Sequence, residues 1–437
     1  MTESRPRLCN AFARMATVTS LAAGLAAALV CGSAQAADMK ALGEEFWDAA
    51  VGGKVHLNMR ARYEYADAQG LDASNAFTLR TRLGYGTAAF KGFSAYGDFD
   101  YVAAIDPAKH YFDAVSTPNG KTPIADPRVI ELNQAYLKLE RDELKGSSVI
   151  GGRQRIILDD HRFIGNVGWR QNEQTYDSVL AKSRLGVEGL EAQYGYIWDV
   201  RRIFGGQDDV NPALGNFDSE SHIINVSYGG LEQVKLTGFI YLLELENKAL
   251  PGSLSNSAAT YGLRANGQQK LGDDLSLGYQ ASYAVQTDYG DNPVDYTAHY
   301  GFVELLLEFA KLGGIGAGYE HLGSDDGTAR VVTPLATLHK FNGWADVFLN
   351  NGGPNGLQDV NFTVAPKLPW KLGGKLVYHY FLGADNGNRL GNEWDILLKR
   401  PINKYVDVLA KYAYFNSAAG SGLTDIHRVW LQAEFKF

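Results

Sequence analysis

The feature that most limits how this chain folds is an alternation. From Lys54 to Tyr65 the odd positions Val55, Leu57, Met59, Ala61, Tyr63 and Tyr65 are apolar or aromatic, while Lys54, His56, Asn58, Arg60, Arg62 and Glu64 are polar. A period of two places successive side chains on opposite faces of a β-strand. Phe77, Leu79, Thr81, Leu83, Tyr85, Thr87 and Ala89 repeat the pattern against Thr78, Arg80, Arg82, Gly84 and Gly86. Further copies run through Leu190–Trp198, Leu275–Val285 and Leu372–Tyr380. Strands of soluble sandwiches average about 5 to 6 residues, whereas a tilted strand that crosses a bilayer needs about 9 to 11. The length of the alternation therefore predicts an all-β transmembrane antiparallel β-barrel, with its apolar face toward lipid and its polar face toward a lumen.

Composition agrees with that class. The 437 residues include 24 Tyr, 20 Phe and 49 Gly but only 4 Met, a mixture suited to strands and turns. A mean hydropathy of -0.21 excludes a bundle of many membrane-spanning helices, each of which needs roughly 20 apolar residues. With 41 basic and 49 acidic side chains, the net charge of -8 offers no global field for nucleic acid.

The first 36 residues read as a secretory signal. Arg5, Arg7 and Arg14 precede an apolar run from Ala16 to Val30, and Ala34-Gln35-Ala36 supplies the small residues of a cleavage site between Ala36 and Ala37. Cys9 and Cys31 both fall inside it, so the mature chain is expected to hold no cysteine and hence no disulfide or thiolate site. Removing three Arg and Glu3 makes the mature charge (41-3)-(49-1) = -10. Residues 37–53 form a short periplasmic segment, in which Met39–Val51 has the pattern of one amphipathic helix, and 54–437 form the barrel.

Connections alternate in length, as periplasmic turns and extracellular loops do. Long ones are expected near 66–75, 104–130, 156–174, 199–219, 244–258 and 287–296. Phe341–Leu349 looks strand-like, but counting it gives 19, and a barrel with both termini in the periplasm needs an even number. Assigning 323–357 to one long extracellular loop, with a short helical piece at His339–Asp346, gives 18 strands, with 16 as the alternative. A loop of this length with apolar residues is expected to fold into or over the pore. The last strand alternates Val429, Leu431, Ala433, Phe435 and Phe437 with Arg428, Trp430, Gln432, Glu434 and Lys436. Its terminal aromatic is similar to the signal read by the outer-membrane barrel assembly machinery.

Several blocks resemble the alginate export family of outer-membrane channels. They are Leu57–Tyr65 (LNMRARYEY), Phe77–Tyr85 (FTLRTRLGY), Gly92–Ala95, Gly152–Arg155 (GRQR), Trp169–Gln174 (WRQNEQ) and Thr333–Asp346 (TPLATLHKFNGWAD), spread over the whole mature chain. The resemblance implies an 18-stranded barrel whose lumen carries an arginine-rich constriction for anionic polysaccharide.

The residues support the same chemistry on their own terms. Arg60, Arg62, Arg80 and Arg82 fall at mid-strand on the polar face of two adjacent strands. Guanidinium stays charged and binds carboxylate with two donors, so such a cluster favours anions. Asp98 and Asp100 share the lumen face of the third strand, so part of the charge is expected to be neutralised by ion pairs. Arg153, Arg155, Arg162 and Arg170 surround the 156–174 loop, which also carries Asp159, Asp160 and Glu173 and is the candidate constriction. Trp169 and Trp344, on loops, are candidate stacking platforms for a sugar ring.

The expected function is an outer-membrane channel passing anionic solutes or anionic polysaccharide, with a general or small-acid uptake porin as the alternative. An adhesin or structural barrel is the alternative from another class. No G-x-S-x-G elbow or H-E-x-x-H pair is present, and His222, His299 and His427 form no recognisable constellation, so no enzyme is expected. No cofactor or metal is implied, since Asp208-Asp209 and Asp325-Asp326 lack a complete calcium-loop pattern. The expected partners are outer-membrane lipid and an anionic solute.

Overall fold

A computed structural model describes residues 36–141, 146–205, 215–247 and 252–437. Residues 1–35 of the expected signal segment, with Cys9 and Cys31, and the Asp208-Asp209 pair lie outside the described residues. The chain divides into two units, Met1–Gly53 and Lys54–Phe437. Among its described residues the first contains the helix α1 (Ala36–Val51), which starts three residues before the expected Met39.

The second unit is a closed 18-stranded antiparallel barrel. Its strands are β1 (Lys54–Ala68), β2 (Ser74–Gly86), β3 (Phe93–Ala104), β4 (Val129–Glu140), β5 (Ser148–Gln154) and β6 (Thr175–Ser183). They continue as β7 (Leu190–Arg201), β8 (Asn216–Tyr228), β9 (Val234–Leu243), β10 (Ala258–Lys270), β11 (Leu275–Asp288) and β12 (Thr297–Phe309). The last six are β13 (Gly313–Leu322), β14 (Leu357–Leu368), β15 (Leu372–Leu382), β16 (Arg389–Pro401), β17 (Val406–Ser417) and β18 (Ile426–Lys436). Leu245–Glu246 prolongs β9 against β8, and β18 pairs back onto β1.

Period two separates two environments along each strand. Outward residues such as Leu83, Leu263, Leu305 and Leu431 remain exposed, Leu263 at 71%, while the inward Arg62 and Asp100 are almost wholly covered, at 1% and 0%. A chain that exposes leucine and buries arginine is inside out relative to a soluble protein, as expected where lipid contacts the outer face.

The 323–356 segment adds no strand to the barrel, as expected; it carries a small hairpin of its own, Ser324–Asp325 against Ala329–Arg330, and Phe341–Leu349 pairs with no strand. Its helical piece shrinks to one 3-10 turn, Leu338–Lys340, because Asn342 and Gly343 adopt left-handed φ values of 53° and 85°. Two boundaries also move. β2 ends at Gly86 and not Ala89, since Lys91 and Gly92 turn the chain with φ of 50° and 86° and pair Phe90 with Phe93. The expected 66–75 loop is only a 69–73 link, because β1 continues to Ala68 and β2 begins at Ser74.

Candidate functional site: a lumen crossed by loops

Three loops fold inward onto the barrel wall, and the charges of the lumen face determine where each one docks. In the β1/β2 ladder Arg60 stands directly opposite Arg80, and Asn58 opposite Arg82. Like charges in that position repel, so the wall is stable only with anionic or dipolar partners. Arg82 forms a two-pronged bond with Asp100, both prongs 2.6 Å, and reaches Glu173 at 2.7 Å. Arg60 meets Glu434 of β18 at 3.3 Å and points Nη1 at the carbonyls of Gly168, Trp169 and Arg170, each 3.2 Å away. Val167, just before these carbonyls, sits at φ 50°, a strained choice for a β-branched residue, and turns the chain so that they converge. Arg62 donates to the Trp169 carbonyl and to Gln432 Oε1, both at 2.6 Å, and lies 3.5 Å from Asp126 of the 105–128 loop. Arg80 donates to Asn58 and to the Gln171 carbonyl.

Arg170 connects three elements, at 3.0 Å from Glu64 of β1 and 2.7 Å from Asp346 of the 323–356 loop. Arg155 binds Glu173 through Nε at 2.8 Å. Asp98 accepts from Asn133, Gln134 and Tyr96 instead of an arginine. Thus Arg60, Arg62, Arg80, Arg82, Arg155 and Arg170 gather on one side of the lumen with Asp98 and Asp100. Arg153 does not join them, being paired with Asp177 across β5/β6 at 2.7 Å, and Arg162 lies on another wall.

That other wall is acidic. Glu320 of β13 stands opposite Asp359 of β14, and His379 of β15 opposite Glu393 of β16, with Asp395 two residues on. The 155–174 loop sends Arg162 to Glu320 at 2.8 Å. The 323–356 loop contributes Asn342 to Glu320 and Asp359, the Trp344 amide to Asp395 at 3.1 Å and the Ala345 amide to Glu393 at 2.6 Å. The tip of the 155–174 loop crosses to β8, β10 and β11, where Asp159 accepts from Asn225 and Asp160 pairs with Arg264 and Gln280.

Trp169 and Trp344 are engaged by the protein itself. Trp169 stacks on His339 at 4.7 Å and carries Arg62 and Lys411 over its ring at 4.2 and 4.1 Å, while Lys411 lies 3.8 Å from the Trp344 centroid. These rings join the two loops to β17 and leave little face for a sugar.

Electrostatics in the loops follows from the contacts. Burial pushes the Glu173 carboxyl up, but Arg82 and Arg155 outweigh it and hold it down at about 2. Burial lowers His339 to about 3, keeping it neutral, so Nδ1–H donates to Asp346 while Nε2 accepts from Lys411, both at 2.7 Å. Burial also opposes the Arg170 charge, yet Glu64 and Asp346 raise its affinity for the proton.

Glu173 stood out in the sequence only as an acidic residue of the constriction loop, and the partners Glu64, Asp126, Asp346 and Glu434, with the whole acidic wall, were not singled out. One available signal was parity, since Glu320, Asp359, Glu393 and Asp395 all fall on the inward face. Among the described residues, no group of three or more His, Asp or Glu side chains is arranged to hold a metal.

Fold and lumen together define a porin-type outer-membrane β-barrel with infolded loops. The alginate export family model matches residues 52–303, more than half of the chain, and the protein belongs to that family. No curated protein matches it. Its barrel is similar to OccAB4 of Acinetobacter baumannii, with a TM-score of 0.67, 14% identity and coverage of 88% of this chain and 98% of that one. It is also similar to Pseudomonas aeruginosa OpdK, solved with vanillate, with a TM-score of 0.65, 15% identity and coverage of 89% and 99%. For OccK3 (OpdO) of Pseudomonas aeruginosa the TM-score is 0.65 at 12% identity, covering 90% and 97%. Family and fold are those of transport channels.

Proposed function

We propose that the protein is a passive outer-membrane channel for anionic solutes, selected at the guanidinium wall of β1 and β2. The observation that carries this reading is the opposed Arg60 and Arg80 with Arg82 and Arg155 beside them at one depth of the lumen. Their roles divide by exposure. Side-chain exposure is 0% at Arg62 and 34% at Arg155, so Arg155 is the guanidinium that meets a passing anion, while Arg62, Arg162 and Arg170 hold the loops. Asp98 and Asp100 shape the wall and limit its net charge.

The 155–174 loop contacts β1 and β2 at one end and β8 to β11 at the other. That crossing favours small acids over a polymer while the loops stay docked. OpdK was solved with vanillate, a small carboxylate, which supports the same size class. Insertion would use the barrel assembly machinery, through the aromatic end of β18.

Planar-bilayer reversal potentials test the reading. An anion preference that falls in Arg155→Gln is expected, and cation selectivity in the unaltered protein would overturn it. Folded protein that never conducts would favour an adhesin or structural barrel.

A further inference from the structure

Glu393 and Asp395 lie two residues apart on β16, so both face the lumen, and both are fully covered. Each accepts one backbone amide of the 323–356 loop, Ala345 on Glu393 and Trp344 on Asp395. Each then leaves its second oxygen, Glu393 Oε2 and Asp395 Oδ1, buried and without a hydrogen-bond donor. The two carboxyl groups are within hydrogen-bonding reach of each other. One proton held between them would satisfy both free oxygens, as it does for adjacent buried carboxyls that cannot both ionise.

The loop is fitted closely to this pair. Gly343 adopts φ 85°, and a Cβ there would collide with the Glu393 carboxyl group. The loop is held on its other side by Arg428, whose Nε donates to the Ala345 carbonyl at 2.9 Å.

We propose that Glu393 and Asp395 form a proton-operated latch that docks the 323–356 loop in the lumen, and that loss of the shared proton to solvent releases the loop. With the proton in place the pair carries one negative charge, which the two amides solvate. Without it two adjacent buried charges repel, and the loop must lift to admit water.

The groups facing the pair do not supply a substitute. Asp359 of β14 adds negative charge, and His379 of β15 is committed to it at 2.9 Å. Among the described residues the one ion-pair contact to the pair is the long His379–Asp395 approach of 3.7 Å. Lys411 of β17 turns its ammonium to His339 and to Trp169, Trp344 and Trp430, and Asp346 is taken by Arg170 and His339.

The test reads loop motion directly and does not depend on the channel reading. A spin label on Leu349→Cys, in the full mature barrel, should be immobile at neutral pH and become mobile once alkali strips the shared proton from the pair. Glu393→Gln and Asp395→Asn each keep an amide acceptor and supply a permanent donor, so the label should stay immobile over the whole range. Gly343→Ala should mobilise it at every pH, with far-UV circular dichroism confirming an intact barrel. A wild-type label that never mobilises, or mobilisation unchanged in Glu393→Gln and Asp395→Asn, overturns the latch; the latter outcome would transfer the titration to Lys411.

Discussion

The basic wall of β1 to β3 and the acidic wall of β13 to β16 meet the same difficulty by different means. Both place like charges across a strand pair, Arg60 opposite Arg80 and Glu320 opposite Asp359. Guanidinium does not shed its proton, so the basic wall must be matched by fixed anions, Asp100, Glu173, Asp126 and Glu434, and by loop carbonyls. Carboxyl groups can be neutralised, so the acidic wall is matched mainly by amides, with one guanidinium from Arg162. One wall is therefore expected to hold wherever its partner carboxylates stay ionised, and the other to depend on protonation. The 155–174 loop serves both, carrying Arg162 to the acidic side and Glu173 to the basic side.

The largest effect should come from Arg170→Met, which leaves Glu64 and Asp346 short of a buried cation. Loss of one partner from a buried pair costs about 3 to 5 kcal/mol, and amide exchange should show both the 155–174 and 323–356 loops opening. If only one loop opens, the two walls are not coupled through Arg170. Acid should act next, on Glu173. Its carboxyl is depressed from 4.5 to about 2 in the folded protein, so its contribution is complete above about 4.5 and is lost as pH falls toward about 2. Glu173→Gln should abolish that part of the acid transition; an unchanged transition would place the weakness elsewhere.

A smaller effect is expected from Arg155→Gln, roughly a two- to five-fold fall in the anion-to-cation permeability ratio, because lumen charges tune selectivity without holding the fold. Glu320→Gln should shift the ratio the other way by freeing Arg162; movement in the same direction would break the division into two walls. The smallest change is Trp169→Phe, which weakens the contacts with Arg62 and Lys411 by about 0.5 to 1 kcal/mol, detectable as a modest rise in amide exchange near 166–171.

Much of this was legible in the chain. Strict alternation located β1, and parity alone excluded Phe341–Leu349 as a strand. Residue alternation, a separate signal, put Arg60, Arg62, Arg80 and Arg82 on the face of β1 and β2 that meets the 155–174 loop and β3. Their partners were not legible, because Glu434 lies 374 positions from Arg60 and meets it only through barrel closure. Nor could the pattern show bulges, such as the register shift at Asp98/Phe99 that brings Gln134 opposite Asp98. The tryptophans looked like platforms because sequence shows an exposed-type loop residue but not the His339 ring that covers it.

The meeting of β1 with β18 has one more consequence. Leu57 and Phe437 exchange both backbone hydrogen bonds, at 3.0 and 2.9 Å, and Glu434 reaches Arg60 and Arg80 across that junction. The first and last strands therefore share one electrostatic seam, and the guanidinium cluster has its full set of counter-charges only after the final strand has zipped onto the first. An unfinished barrel would carry an unbalanced positive stripe at its open edge, so closing the ring and balancing the guanidinium cluster are the same event in assembly.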